Sequence, residues 1–186
     1  IFKSNMITTL FVQRLVGFLN VALAPSYTMH GGFVDVYGVG VLILGESGIG
    51  KSETALELIK RGHRMVADDA VLVKRVGDEL VGSAPEAIKH LMEVRGIGII
   101  NILNMYGVGA VIDQKKISLI AELEKWDDTK EYDRLGLEQK TKDILGIEVP
   151  IITVPVRPGR NIAIIIEVAA RNRRLKDMNL DSAGML

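Results

Sequence analysis

The residues with the clearest chemical meaning form a glycine-rich segment between an apolar run and an amphipathic stretch. The segment matches the pattern G-x-x-x-x-G-K-[ST], in which backbone amides surround phosphate groups. Its glycines let the chain turn these amides inward at the start of a helix, where unpaired N–H groups and the helix dipole attract anions. Lys51 supplies an ammonium group for the outer phosphates, and Ser52 supplies a hydroxyl for Mg²⁺. The segment predicts binding of a nucleotide or polyphosphate by Gly45, Glu46, Ser47, Gly48, Ile49, Gly50, Lys51 and Ser52.

Two adjacent acids, Asp68 and Asp69, follow the next apolar segment. In an open α/β sheet the carboxyl ends of the strands border the ligand crevice, so both acids are expected near the glycine-rich segment. Neighbouring residues of a strand point to opposite sides, which gives the two carboxylates different neighbours. One can approach a metal ion, and the other can act as general base toward an acceptor hydroxyl, a role worth roughly 10²- to 10⁴-fold in rate. The alternative is an exposed acidic turn.

Three isolated residues carry weaker chemical signals. His30 precedes a pair of glycines, where a lone His is usually structural. Glu93 could add a carboxylate to a magnesium site, since Mg²⁺ prefers one or two carboxylates together with waters and phosphates. Arg134 lies in a polar stretch, where a solvated side chain is the default. In contact with a transferred phosphoryl group, this arginine would contribute on the order of 10³- to 10⁵-fold in rate.

A stiff turn in the last third of the chain presents two guanidinium groups. Its residues are Pro155, Val156, Arg157, Pro158, Gly159 and Arg160. Arginine makes planar, bidentate contacts with phosphate and carboxylate groups, and proline and glycine fix the path of a turn. The turn is therefore suited to binding a phosphate group or an acidic partner, and an ordinary basic β-turn is the alternative.

The elements that must position these side chains are visible in the hydrophobic pattern. Residues 33–36 and 41–44 predict two strands joined by a glycine turn, and the amphipathic stretch Lys51–Lys60 predicts a helix that ends at Gly62. Further strands are expected at residues 63–67, 71–76, 80–81, 97–102, 110–112, 117–123, 151–156 and 162–168. Further helices are expected at residues 8–24, at residues 85–94 and from about residue 169. The order of these elements predicts an α/β fold with a mixed central sheet.

Composition narrows the class of protein. The 186 residues include 23 Lys and Arg and 23 Asp and Glu. The chain therefore has no net charge that would attract nucleic acid or an anionic membrane. Hydrophobic residues make up 48% of the chain, which excludes a disordered tail. The absence of Cys excludes disulfide scaffolds and thiolate metal sites and fits a reducing compartment. The longest uncharged run, residues 96–112, is interrupted by glycines and asparagines too often for a membrane-spanning helix.

The chain divides into two predicted parts. Residues 1–29 are expected to form a linker helix or the remnant of a preceding domain, because Pro25 ends the first helix and the sequence opens without an initiator Met or a signal-peptide pattern. That helix either packs on the rest of the chain or belongs with an upstream domain. Residues 30–186 are expected to form one P-loop catalytic domain.

Several segments together resemble the C-terminal catalytic domain of the HPr kinase/phosphorylase family, from about His30 to about Met178. They are His30-Gly31 and residues 45–57, 61–64, 67–69, 93–101, 132–134, 155–161 and 165–170. The resemblance implies a P-loop kinase domain with a mixed central sheet, preceded by a linker helix. It also implies a bifunctional enzyme of carbon catabolite repression, which phosphorylates a serine of the phosphocarrier HPr with ATP or pyrophosphate. The reverse reaction is a phosphorolysis, in which inorganic phosphate attacks the phosphoserine and pyrophosphate is released.

The resemblance also implies roles for single residues. The implied active-site residues are His30, Lys51, Asp68 and Arg134, with Asp68 as the acid and base. The implied Mg²⁺ ligands are Ser52 and Glu93, with Asp69 nearby. Residues 92–101 match a segment tied to both reactions, and the turn 155–160 matches one tied to dephosphorylation. A cytoplasmic homohexamer is implied, with HPr as protein substrate and with neither nucleic acid nor membrane as partner.

The match has small departures, and the residues by themselves leave two other functions open. Glu46 stands where Asp is expected, and residues 172–186 are less familiar. The first alternative is a P-loop kinase or NTPase with a small-molecule acceptor, in which Asp69 binds metal and Asp68 positions a hydroxyl or water. The second is a nucleotide-sensing module that binds ATP without turnover.

Overall fold

A computed structural model describes residue 3 and residues 5–130, 140–178 and 180 of the chain. The helices are α1 (Thr8–Ala22), α2 (Lys51–Lys60), α3 (Ile102–Tyr106) and α4 (Ile162–Asp177). The strands are β1 (Ser26–His30), β2 (Gly32–Val36), β3 (Val39–Gly45), β4 (Arg64–Ala67), β5 (Ala70–Val76), β6 (Glu79–Ser83), β7 (Leu91–Val94), β8 (Gly98–Asn101), β9 (Gln114–Lys125), β10 (Lys140–Ile144) and β11 (Ile147–Val156).

A mixed sheet forms the centre of the fold, as the sequence predicts. Its strand order is β1-β5-β6-β9-β3-β2-β4, with β11 paired to β9 and β10 paired to β11. The long strand β9 pairs antiparallel with β6 through its first residues and parallel with β3 and β11 farther along. Because β3 and β4 are both antiparallel to β2, strands β3, β4, β9 and β11 all end at the same edge of the sheet. Loops that follow these strands therefore meet at one edge.

Apolar layers on both faces hold this edge in place. On one face α2 and α4 pack against the sheet, with Ile43, Leu58 and Ile166 fully buried. On the other face β5 and β6 fold over the strands, and Phe33 and Ile120 are fully buried there. Each fully buried side chain of this kind contributes about 1.5–3 kcal/mol relative to an exposed one. The sheet is thus a rigid support for the loops at its edge.

The predicted helix at residues 85–94 is wrong. The structure has a single 3₁₀ turn at Glu86–Ile88, followed by β7, which pairs antiparallel with β8. Met92 and Val94 point into the core while the alternate residues are less buried, which is the period-two pattern of a strand. The proline that suggested a helix start initiates only that turn. The predicted strand at residues 97–102 is shorter than expected, because Asn101 accepts a hydrogen bond from the Asn104 amide and caps α3.

The predicted strand at residues 162–168 is also wrong, because this stretch is the first half of α4. The Asn161 side chain accepts a hydrogen bond from the amide of Ile164 and so caps the helix. Ala163, Ile166 and Ala170 are buried at helical spacing, so packing against the sheet overrides the strand preference of the isoleucines. At residues 110–112 the structure has, in place of a strand, a 3₁₀ turn and one isolated bridge from Val111 to Met65.

Helix α1 forms as the pattern predicts, but it does not pack on the sheet. It contains no buried residue, and the C-cap after it is followed closely by Pro25. The first strand of the sheet begins at Ser26 and pairs with β5. The division of the chain at residue 29 stays a prediction. None of the helices in the described ranges has the length and apolar character that crossing a bilayer requires.

Candidate active site

The glycine-rich segment forms a tight loop between β3 and α2. Gly45, Gly48 and Gly50 all have positive φ angles, a backbone region that side-chain-bearing residues rarely adopt. At Gly45 a Cβ atom would lie 2.6 Å from the carbonyl oxygen of Leu123, so only glycine fits there. Ile49 is buried and anchors the loop in the core. The loop therefore ends at a helix N-terminus whose amides are available to an anion.

Lys51 and Ser52 occupy the first turn of α2, at the mouth of the loop. The Lys51 ammonium donates hydrogen bonds of 2.9 Å to the carbonyl oxygens of both Gly45 and Glu46, and the residue is buried. This ammonium thus lies across the loop, where the outer phosphates of a bound anion would be. The Ser52 hydroxyl donates to Oδ1 of Asp68 at 3.1 Å.

Asp68 is a buried acid directly beside the loop. It is 3% exposed, and its Oδ2 atom has no hydrogen-bond partner among the described residues. Burial raises the pKa of its carboxyl above the usual value, and the charge of Asp69 adds to this. The Ser52 hydroxyl and the backbone amides of Glu93 and Asp69 oppose the shift. A carboxyl of this kind exchanges a proton more readily near neutral pH than an exposed one.

Asp69 points away from Asp68 and meets His30, the last residue of β1. Its φ angle of 66° places it in the left-handed region at the end of β4, so the chain turns sharply after Asp68. His30 Nδ1 lies 2.9 Å from the Asp69 carbonyl oxygen and 3.2 Å from Oδ1. The pairing of His30 with Ala70 in the β1–β5 ladder produces this approach. The expected divergence of the two acids is observed.

Hairpin β7–β8 closes the site from the other side. Glu93 alternates with the buried residues of β7 and so faces the cleft. Arg95, in the hairpin turn, places its guanidinium so close to Gly48 that a Cβ atom there would lie 2.7 Å from it. The sequence placed Arg95 only within residues 92–101, the segment that the resemblance ties to both reactions. Its contact with the loop was not predicted, because it depends on a hairpin whose first strand was expected to be a helix. Glu53 also lines the cleft, and its position directly after Ser52 could have indicated this.

These groups surround a cleft of about 100 Å³. Its lining residues are His30, Ser47, Gly48, Gly50, Lys51, Ser52, Glu53, Asp68, Asp69, Glu93 and Arg95. The structure thus brings together His30, Lys51, Ser52, the acid pair and Glu93, which are far apart in the sequence. Arg134 lies outside the described residues.

A wider recess of about 740 Å³ adjoins this cleft and shares His30 with it. Its wall includes Glu46 of the loop, Glu122 and Lys125 of β9, and Lys142 of β10. His30 therefore lies where the cleft and the recess meet.

The segment 155–160 begins with the last two residues of β11 and continues as a turn, which emerges at the same edge of the sheet as the phosphate loop. It is closed by a hydrogen bond from the Arg160 amide to the Arg157 carbonyl oxygen, and Gly159 has a positive φ angle. Its residues do not line the 100 Å³ cleft.

The donor groups at the cleft fit a magnesium ion. Within the described ranges, no three side chains of His, Cys, Asp or Glu come together at metal-binding spacing. Mg²⁺ is usually held by one or two carboxylates together with phosphate oxygens and water. Ser52, Asp69 and Glu93 offer one hydroxyl and two carboxylates around the cleft, and the unpaired Oδ2 of Asp68 marks a place where a positive charge is favoured.

Known proteins are similar to this chain in sequence and in fold. The family model described as HPr Serine kinase C-terminal domain matches residues 21–186. A protein named HPr kinase/phosphorylase from Exiguobacterium sp. is 58% identical over 97% of this chain and 58% of its own length. One of the same name from Geobacillus thermodenitrificans is 58% identical over 98% of this chain and 60% of its own length.

A solved structure of the Hpr(Ser) kinase/phosphatase from Coxiella burnetii has the same fold. It matches with a TM-score of 0.78 at 40% identity and covers 86% of this chain and 97% of its own. The chain spans about 60% of the length of the curated relatives that it matches.

Proposed function

This chain belongs to the HPr serine kinase C-terminal domain family, and from that premise we propose that it catalyses phosphoryl transfer to and from a serine of the phosphocarrier HPr. The observation that carries the proposal is the position of Asp68. Its carboxyl is buried, hydrogen-bonded to Ser52 and adjacent to the phosphate loop. A proton acceptor beside a polyphosphate site is what phosphorylation of a hydroxyl requires.

In the forward direction, the loop amides and Lys51 hold the β-phosphate of ATP or pyrophosphate. The seryl hydroxyl of HPr attacks the terminal phosphorus, and Asp68 accepts the hydroxyl proton. The bond between this phosphorus and the bridging oxygen breaks, and ADP or phosphate leaves from the loop. Ser52, Glu93 and Asp69 would hold Mg²⁺, which when bound neutralises charge on the phosphate oxygens.

In the reverse direction, inorganic phosphate occupies the position of the β-phosphate on the same loop. One of its oxygens attacks the phosphorus of phosphoserine, the bond to the seryl oxygen breaks, and Asp68 returns a proton to that oxygen. The products are serine and pyrophosphate. The raised pKa of Asp68 suits both reactions. The carboxylate must be ionised to accept the seryl proton in phosphorylation, and the carboxyl must be protonated to return a proton in phosphorolysis.

We assign to His30, which borders the wide recess, and to Arg134 a contact with the transferred phosphoryl group. The recess supports a protein acceptor, since it opens the histidine side of the cleft to a large molecule. The proposal extends to a homohexamer acting in the cytoplasm, without nucleic acid or membrane partners.

The test is transfer of ³²P from γ-labelled ATP to HPr, followed by removal of nucleotide and addition of phosphate. We expect label first on HPr and then in pyrophosphate. Label that appeared only as free phosphate would indicate an NTPase, and saturable ATP binding without turnover would indicate a nucleotide sensor.

A further inference from the structure

Trp126 and Arg157 form a contact at the edge of the sheet that the proposed chemistry leaves unused. The guanidinium carbon of Arg157 lies 4.6 Å from the centre of the Trp126 ring, within the range of a cation–π interaction. Trp126 directly follows β9, and Arg157 directly follows β11.

The tryptophan ring is itself fixed. The Trp126 amide donates a hydrogen bond to the carbonyl oxygen of Val156 at 3.1 Å. Its indole N–H donates to Oδ1 of Asp128 at 2.6 Å. The backbone of Trp126 and the tip of its indole ring are therefore both held, and the ring presents one face to Arg157.

The position of the contact connects it to the phosphate loop. Lys125 and Val156 are paired in the parallel β9–β11 ladder, so the two residues that follow them leave the sheet side by side. Strand β9 also pairs with β3, which leads into the loop. Two strand spacings, roughly 10 Å, separate the ends of β3 and β11, a span that an arginine side chain and a bound phosphate together can bridge.

A guanidinium on an exposed turn has many rotamers, and a contact with phosphate must select one of them. A fixed aromatic face restricts Arg157 before the anion arrives, while it leaves the N–H groups at the edge of the guanidinium free to bind phosphate. Among the described residues, the neighbouring Arg160 makes no such ring contact, so the two arginines of the turn are held differently.

We propose that Trp126 is a positioning residue for the reverse reaction: its indole face holds Arg157 in the orientation that binds a phosphate dianion. The inference rests on the proposed function. It predicts that Trp126 matters for phosphorolysis through Arg157 and hardly matters for ATP-dependent phosphorylation of HPr.

The kinetic test compares Trp126→Leu, Trp126→Phe, Arg157→Ala and the double variant Trp126→Leu/Arg157→Ala. Each is assayed in both directions, phosphorolysis and phosphorylation with ATP as donor. We expect Trp126→Leu to lower kcat/KM of phosphorolysis about 3- to 10-fold, with Trp126→Phe in between because it keeps an aromatic face. ATP-dependent phosphorylation of HPr, which is not the reverse of phosphorolysis, should stay within about twofold of the wild type. The double variant should be no slower than Arg157→Ala alone, because the tryptophan acts only through the arginine.

Equal losses in both directions for Trp126→Leu would show a general structural role and overturn the inference. So would losses that multiply in the double variant. The Michaelis constants of Trp126→Leu and Arg157→Ala for inorganic phosphate and for phosphoseryl-HPr identify which phosphate group Arg157 binds. In both variants only the Michaelis constant of that substrate should rise. A wild-type chain that transfers phosphate in neither direction would overturn the proposed function, a result distinct from selective failure of the variants.

A second measurement checks the contact in solution. Trp126 is the only tryptophan of the chain, so its fluorescence reports on its ring alone. Arg157→Ala should change the emission, whereas the matched control Arg160→Ala should leave it unchanged. Emission that is the same in Arg157→Ala and the wild type would show that the contact does not form, and would overturn the inference.

Discussion

At the scale of single residues, the site depends on a carboxyl that is costly to ionise. Asp68 is buried, its Oδ1 accepts a hydrogen bond from the Ser52 hydroxyl, and its Oδ2 has no hydrogen-bond partner among the described residues. We expect Asp68→Asn to reduce both phosphorylation and phosphorolysis roughly 10²- to 10⁴-fold, because it removes the proton acceptor. ATP affinity should survive, since the loop amides and Lys51 do not need the carboxylate. The measurement is rate in both directions together with calorimetric ATP binding, and wild-type transfer by this variant would contradict the assigned role.

The same substitution should make the protein more stable at neutral pH. The pKa of Asp68 is raised in the folded state, so the folded chain binds more protons than the unfolded chain as pH rises above the usual aspartate pKa. Stability due to this group therefore falls with rising pH in that window, and the loss is complete above the folded-state pKa. Asn carries no such penalty and can still accept the Ser52 hydrogen bond. Urea unfolding at several pH values should show an advantage for Asp68→Asn that grows from acid to neutral pH; a constant difference would contradict the burial argument.

Residue types and spacing predicted most of the residues that line the cleft. Lys51 and Ser52 follow from a local motif, and the divergence of Asp68 and Asp69 follows from strand geometry. The contact of Arg95 with Gly48 could not be predicted, because it depends on the pairing of β7 with β8. The sequence pattern predicted a helix where β7 lies. The approach of His30 to Asp69 depends on the pairing of β1 with β5, which no local pattern encodes.

At the scale of elements, Gly48 allows the phosphate loop and hairpin β7–β8 to lie in close contact. Gly48→Ala would force a side chain into the left-handed region, at a cost of roughly 1–2 kcal/mol, and would push Arg95 away. We expect the affinity for pyrophosphate to fall about tenfold or more. Gly38→Ala is the matched control, since Gly38 also has a positive φ but its Cβ would meet nothing within 4 Å. Calorimetry should show weakened binding in Gly48→Ala only; equal weakening in both would indicate a general loss of stability.

Helix α4 shows how capping and packing together determine an element. Its isoleucine-rich start resembles a strand, but the Asn161 cap and the buried stripe make it a helix. Asn161→Ala should lower the free energy of unfolding by about 1 kcal/mol. Asn101→Ala removes the equivalent cap from the short helix α3 and serves as comparison. Urea unfolding measures both, and an unchanged stability in Asn161→Ala would mean that packing alone defines the helix.

At the scale of the whole molecule, loops that follow strands from distant parts of the chain lie at one edge of the sheet. The sequence predicted the strand, loop and helix around the phosphate site, because these are adjacent in the chain. It could not predict that β9 would pair with β6, β3 and β11, since such pairings depend on contacts between residues far apart. That arrangement sets the phosphate loop, the acid pair and the turn after β11 along the same edge.

Helix α1 lies outside the packed core of the fold. None of its residues is buried, whereas the Pro25 carbonyl oxygen accepts a hydrogen bond from Arg75 and β1 belongs to the sheet. Removal of residues 1–24 should therefore change the free energy of unfolding by no more than about 0.5 kcal/mol and leave ATP affinity unchanged. Removal of residues 1–30 should be clearly destabilising, because it leaves β5 without β1 and removes His30 from the cleft. Urea unfolding of both truncations, at a concentration where the chain is monomeric, checks this; equal losses of stability in the two would show that α1 is part of the folded core.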